Sequence, residues 1–219
     1  TVALAATAAG TVSFRDTDDL TVGSVTASGN FAATSGVSST NSDVTIQTGG
    51  NITLGQDVNA GSGNVTLTSA GNITRTGGTV SGSTVGFTAA SGIGASGSAI
   101  STAASTLNAE VTAAGDIYIS ETDAVTLGTI KTASGNIEVT SGGAMTISNA
   151  SITESSGGGK NVTLTANSGN MDFGVLSAAG DTVTLKATTG SITNSNGPRV
   201  DVTASTLSAT AGGSISLDT

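Results

Sequence analysis

Cysteine, histidine and tryptophan are absent from the 219-residue chain, and proline occurs once. Without cysteine there are no disulfides and no thiolate metal sites, which suits a chain exported unfolded through a narrow pore. Aromatics are 2% of the residues, 4 Phe and 1 Tyr, so nothing large is present to fill a wide core. A narrow core of small aliphatics fits better. Positive charge is scarce too: 6 Lys+Arg against 15 Asp+Glu give a net charge of −9 and a pI near 4.1. Nucleic acid needs a basic stripe that this chain lacks, and docking on anionic lipid is disfavoured for the same reason. No apolar run approaches the ~18 residues needed to cross a bilayer, so membrane insertion is not expected. A 3.6-residue apolar stripe is also missing, which argues against helices.

Glycine, at 32 residues, is abundant, with Ser, Thr, Ala and Asn around it. Such a mix can signal disorder, but disorder goes with low hydrophobicity. Here the mean hydropathy is +0.20, and Val, Ile and Leu recur at regular intervals. Residues 64–74 read NVTLTSAGNIT: Val65 and Leu67 point one way, Thr66 and Thr68 the other, before a small-residue corner at Gly71-Asn72. Period-two alternation bounded by Gly and Asn is the mark of a half-buried strand entering a tight turn. The phrase returns at residues 44–53, 162–171 and 183–193.

Two repeats are nested. The opening TVALAATAAG aligns without a gap on residues 106–115, TLNAEVTAAG, and resembles the third phrase beginning near Ser205. The first ten residues therefore read as repeat rather than as a targeting segment. The register continues through Asp18/Asp123 and then pairs Ala27–Asn30 with Ala133–Asn136. The expected organisation is one continuous solenoid over 1–219, made of long units 1–105 and 106–205 and the start of a third, 206–219. Within the long units, glycines at 10, 29, 50, 71, 92, 115 and 135 mark a beat of about 21 residues. Each beat holds three apolar patches, such as Ile52/Leu54, Val58 and Val65/Leu67. The predicted fold is an all-β parallel β-helix, three-sided, of about ten coils, and on the order of 50 Å long at ~4.8 Å per coil. A single coil cannot bury its own apolar side, so only stacking makes it stable. Gly and Asn at the corners are expected to supply positive φ, and stacked Asn51 and Asn72 to bond side chain to side chain. Val65, Leu67, Ile73, Phe87, Ile117, Ile119, Val139, Ile147, Val162, Leu164, Val183 and Leu185 are expected to point inward.

The iterated VTLTSAGNIT-like phrases, with STL-x-A…G-x-I at residues 105–117 and 205–215, make the chain resemble the repeat regions of filamentous-haemagglutinin-like exoproteins. These are giant adhesins that bacteria export by two-partner secretion. The resemblance implies a structural rod or stalk segment of a bacterial cell-surface or extracellular-matrix fibre, with surface glycans or matrix as partners. The Asn-Pro motifs of that family's secretion domain do not occur, the one proline, Pro198, following Gly197. Both terminal phrases alternate without a cap, so the chain is expected to be a slice of, or a unit in, a longer rod, meeting itself end to end. An alternative is an extracellular filament subunit that stacks end to end. A remote one is a polysaccharide-acting β-helix enzyme, against which stand the absence of His, the scarcity of Arg and the lack of an aromatic platform for sugar.

No catalytic site and no cofactor are expected, because each apparent motif has a plainer reading. Gly92–Gly97 spells GxGxxG, but a strand phrase rather than a helix follows it, so it reads as a corner. Gly157-Gly158-Gly159-Lys160 lacks the first glycine and the Ser/Thr of a P-loop. Asp16, Asp18 and Asp19, with Glu121 and Asp123 in the sister phrase, are weak calcium candidates, since the calcium-binding GGxGxD pattern is missing. Asn51, Asn64, Asn72, Asn149 and Asn161 begin Asn-x-Ser/Thr sequons, although corner Asn followed by strand Thr generates that pattern automatically. Outward threonines resemble an ice-binding array, yet the column Thr66, Gly86, Asn108 varies from coil to coil.

Overall fold

The computed structural model describes residues 2–30, 32–148, 152–154, 158–194, 197 and 199–218. Asn149, Gly157 and Pro198, together with Thr1 and Thr219, lie outside the described residues. The chain winds into an all-β parallel solenoid of about ten coils of roughly 21 residues. Among the described residues one sheet of 23 strands runs through it, and each strand pairs in parallel with its counterpart one coil away.

The coils of the first half have three sides. Side one stacks Val12–Asp16, Val44–Thr48, Val65–Ser69, residues 85–89 and residues 106–111. Side two stacks Val2–Leu4, Leu20–Val22, Ile52–Leu54, Asn72–Arg75 and Gly92–Ile93. Side three stacks Ala6–Ala8, Val37–Ser39, Val58–Asn59, residues 80–82 and residues 102–104. The alternation forces this arrangement: in Val65–Ser69 positions 65, 67 and 69 are buried, and Thr66 is exposed. All twelve residues expected to point inward are at most 2% exposed. Like sits on like, so that Leu20, Ile52, Ile73, Ile93, Ile117, Ile137, Val162, Val183 and Leu207 form one aliphatic column. Parallel in-register stacking makes each branched side chain pack on a near copy of itself, which is why a narrow lumen needs no large aromatic.

Two features depart from a uniform three-sided rod. Ser24–Val25 and Thr34–Ser35 pair antiparallel as a hairpin outside the main sheet. It lengthens one coil, so that Leu20 pairs with Ile52. Ala27–Asn30 therefore lies in this hairpin, whereas Ala133–Asn136 lies beside the main-sheet strand Ile137–Ser141; the sequence alignment of the two is not a structural equivalence. The second departure comes mid-rod. Ile93 pairs with Ile117 while Ile100–Thr102 pairs with Ile119–Glu121, so sides two and three below feed one strand above. At the same level Thr106–Leu107 pairs with Thr126–Leu127 and Ala109–Val111 with Ile130–Thr132, across a β-bulge. That side then divides, Val125–Leu127 onto Met145–Ile147 and Ile130–Thr132 onto Ile152–Glu154. The coil at 117–134 thus has two strands, the five-residue Ile117–Glu121 and the ten-residue Val125–Ser134, and the triangle leaves it turned about the axis. Three sides then resume, with Ile137–Ser141 beginning the new side one.

The expected positive φ is found at corner glycines off the 21-residue beat, such as Gly36, Gly61 and Gly78 at 68°, 61° and 68°, and at Asn41 at 55°, whereas most glycines on the beat work by space. Of the seven glycines on the 21-residue beat, only Gly29 has a positive φ, of 59°, and it sits in the hairpin. A Cβ on Gly50 would come within 2.4 Å of Asp19 Oδ1, and one on Gly71 within 2.4 Å of Asn51 Oδ1. The coil beneath occupies the room that a side chain would need.

Candidate functional site

Polar ladders run along the corners beside the aliphatic columns. Asn51 donates its backbone N–H and its side-chain amide to Asp19 Oδ1, at 2.7 and 3.0 Å. Asn72 does the same to Asn51 Oδ1, at 2.8 and 3.4 Å. Gly92 interrupts the column, Asp116 restarts it, and Asn136 donates to Asp116 Oδ1 at 2.7 and 3.3 Å. Asn161 then gives its N–H to Asn136 Oδ1 at 3.1 Å. A second ladder seats Asn64 on Asp43 Oδ1 at 2.9 Å. The order is chemical. A middle rung must accept from above and donate below, which an amide does and a carboxylate does not. The lowest rung has no donation to make downward, and there Asp stands. The expected Asn51–Asn72 bond is present, and the Gly-Asn dipeptide is its sequence mark: Gly clears room for the oxygen that Asn grips.

Hydroxyls close the same corners. Thr48 Oγ1 donates to the Gly50 carbonyl and Ser69 Oγ to the Asn72 carbonyl, at 2.8 and 3.1 Å, and Ser141 Oγ donates to the Gly143 carbonyl at 2.8 Å. These side chains point inward at strand ends and satisfy turn carbonyls that the parallel ladder leaves over.

The weak calcium candidates are not brought together. Asp16 begins a column that passes through Thr48, Ser69 and Ala89 before it reaches Val111, while Glu121 stands on another strand of the coil above. Asp19 is a ladder base, and Asp18 donates its N–H to Asp16 Oδ1 at 3.3 Å. Glu121 is 2% exposed. It accepts from Thr102 Oγ1 at 2.7 Å, from Ala104 N at 3.1 Å and from Thr122 N at 2.9 Å. Those bonds pin the coil where two sides merge into one. Asp123 is exposed beside it and touches Thr122 Oγ1. Among the described residues no group of three acidic side chains is placed to hold a metal.

Other buried carboxyls were not legible beforehand. Asp181 is 1% exposed, and its Oδ1 takes the N–H of Lys160 at 2.9 Å while its Oδ2 lacks a donor. Burial pushes its pKa up; the Lys160 N–H opposes this, and the neighbouring Glu154 carboxyl adds to it.

Of the described sequons, Asn51, Asn64 and Asn72 commit their amide nitrogen to the coil beneath. Asn161 is exposed, and it bonds through its backbone. Gly92–Gly97 forms a tight turn, with φ of 70° at Gly94 and 78° at Gly97 and an antiparallel bridge from Ala95 to Ser98. A strand follows it, as the corner reading requires.

The surface feature that sequence reasoning passed over is Tyr118. It stands outward on Ile117–Glu121, partly buried, with its hydroxyl 3.4 Å from Asp116 Oδ2. Burial, then the charges of Asp116 and Glu138, raise its pKa. Open grooves of about 450, 400 and 280 Å³ meet at this ring. The signal was available: the one tyrosine of a chain that is 2% aromatic occupies an outward place in Ile117-Tyr118-Ile119.

A continuous parallel ladder, a dry aliphatic lumen and in-register polar corners define a repetitive β-solenoid scaffold. The chain belongs to a family described as Repeats of unknown function (DUF5649), whose model matches residues 9–72 and 159–219, more than half of it. No curated protein and no solved structure matches it. Tyr118 lies between the two matched segments. No helix among the described residues is long and apolar enough to cross a membrane.

Proposed function

We propose that this solenoid is a stiff rod segment of a bacterial cell-surface or extracellular-matrix fibre, of the filamentous-haemagglutinin-like kind, whose work is reach and spacing. The observation that carries the reading is the unbroken aliphatic column from Leu20 to Leu207, with backbone ladders beside it. Bending such a rod must stretch parallel hydrogen bonds on one side of every coil at once, and a sealed lumen with few loops offers proteases little purchase. The role is mechanical rather than catalytic. It is supported by the work that several acidic residues do in the fold: Asp19, Asp43 and Asp116 each anchor a polar ladder, and Glu121 ties the coil where two sides merge. The location proposed is extracellular, with other solenoid coils and surface glycans as partners.

Low-magnification imaging of the native assembly tests this. Thin surface appendages of uniform width support the rod. A homopolymer of this chain alone would favour the filament-subunit alternative, and a dispersed monomer would sink both.

A further inference from the structure

Three grooves converge on one side chain, and their walls share a chemistry. The widest, about 450 Å³, runs from Tyr118 past Asp116 and Lys160 along the turn at Gly94. The next, about 400 Å³, meets the same turn from Gly97 and Ser98 and reaches Arg75 and Glu138. The third, about 280 Å³, climbs from Tyr118 over Glu138 to Asn161 and Thr163. Together they have the size of a small-ligand site. The direction of the climb follows the coils, since Tyr118 pairs with Glu138 and Glu138 with Thr163.

What lines these grooves limits what they take. Large apolar side chains are missing from the walls apart from the inward-pointing Ile119 and Ile137, both at most 1% exposed, so nothing anchors an acyl chain or an apolar peptide. Asp116 and Glu138 are balanced by Lys160 and Arg75, so no field of one sign selects a polyanion or a polycation. What remains is one aromatic ring, surrounded by hydroxyls, amides and carboxylates. The Glu138 carboxylate and the Asn161 amide are free of hydrogen-bond partners among the described residues, in contrast to Asn51 and Asn72 lower in the column. A ring that offers an apolar face, with unspent donors and acceptors at its margin, matches a sugar, which has a C–H face and a rim of hydroxyls. The corresponding strand of the first half, Val12–Asp16, carries Ser13 where Tyr118 stands, so the feature is not a by-product of coiling.

We propose that the Tyr118 grooves bind a short neutral oligosaccharide, one ring stacked on Tyr118 and its neighbours' hydroxyls held by Glu138 and Asn161. The site gives the glycan partner a place on the rod. It rests on no assumption about the fibre, and its failure would leave the imaging test of the rod untouched.

The chain supplies its own reporter, because Tyr118 is the sole tyrosine and tryptophan is absent. The full chain is titrated with cellotetraose, maltotetraose, mannotetraose and, as an anionic contrast, a heparin tetrasaccharide, reading tyrosine emission and saturation-transfer NMR. The expected result is a saturable change with at least one neutral tetrasaccharide at a Kd of about 1 mM or tighter. Tyr118→Ala should weaken it by about tenfold or more, whereas Tyr118→Phe, which keeps the ring, should stay within about threefold. Glu138→Gln, at an exposed site where folding is not at stake, should weaken it by about threefold or more. No response to any neutral probe, a response to heparin alone, or unchanged binding in Tyr118→Ala overturns the proposal.

Discussion

Val12–Asp16 and Ile117–Glu121 are one five-residue strand used twice, and they differ only where the rod allows it. Inward, Val12 answers to Ile117, Phe14 to Ile119 and Asp16 to Glu121. Outward, Ser13 stands for Tyr118 and Arg15 for Ser120. Position in the stack separates them further. Ile119 lies on Ile100 and under Val139 and is 1% exposed, whereas Phe14, packed under Ile46, is only partly buried. The corner before each strand shows the same contrast. A Cβ on Gly115 would meet the Ser91 carbonyl at 1.9 Å, while one on Gly10 would meet nothing within 4 Å. The inward code is set by the coil above and the coil below; the outward code is free to carry function.

The widest break in the comparison comes from charge placed inside. Ile119→Asp and Leu67→Asp should abolish cooperative folding, since each buries an unpaired carboxylate. Ser13→Asp and Thr66→Asp, at exposed places, should melt as wild type does by circular dichroism. Equal behaviour of the two sets would show the faces to be misassigned.

Next comes the corner pair. Gly115→Ala should cost about 3 kcal/mol in a denaturant melt, because backbone rather than a movable side chain blocks the new methyl. Gly10→Ala should cost less than about 0.5 kcal/mol. A loss of similar size at both would show that the close approach of the Ser91 carbonyl does not set the cost at Gly115.

The ladders predict a smaller and directional effect. Asn51→Asp sets a carboxylate on the oxygen of Asp19 and removes a donor, costing about 1–2 kcal/mol at neutral pH. The loss should shrink in acid, where protonation restores a donor. The reverse change at the base, Asp19→Asn, should be nearly neutral. Equal costs for the two would contradict the rule that Asp belongs only on the lowest rung.

Asp181 gives a pH dependence with a definite sign. Its folded pKa is raised, by burial first, so the folded chain holds a proton that the unfolded chain releases sooner. The stability it contributes is full below the unfolded pKa and is lost as pH rises through the folded one. Asp181→Asn should therefore flatten the decline in melting temperature as pH rises from the unfolded pKa to the folded one. A decline of unchanged slope in the variant would assign it elsewhere. The smallest expected effect is none: a chelator should leave the melting temperature in place, and a drop of more than about 10 °C would make the acidic corner a metal site.

Alternation in phrases such as residues 64–74, repeated on a beat of about 21, was enough to specify an all-β solenoid with its inward residues and its Asn51–Asn72 contact. The reason is that each of these depends on local period and on an identical neighbour one coil away, and a repeat states its own neighbour. Three things depended on contacts that no local pattern encodes. Glycines on the beat such as Gly50, Gly71 and Gly115 answer to atoms of the coil beneath, so their role is space, while the expected positive φ falls at other corner glycines, Gly36, Gly61 and Gly78. The mid-rod exchange depends on how two short sides and one long one meet, through a bulge between Leu107 and Ala109 that alternation does not reveal. The grooves at Tyr118 exist only because the turn at Gly94, Lys160 and Glu138 come from three different coils and are gathered around one ring by the winding of the chain. Sequence determines the coil because the coil is local and self-similar; the places where coils differ are settled by packing between them.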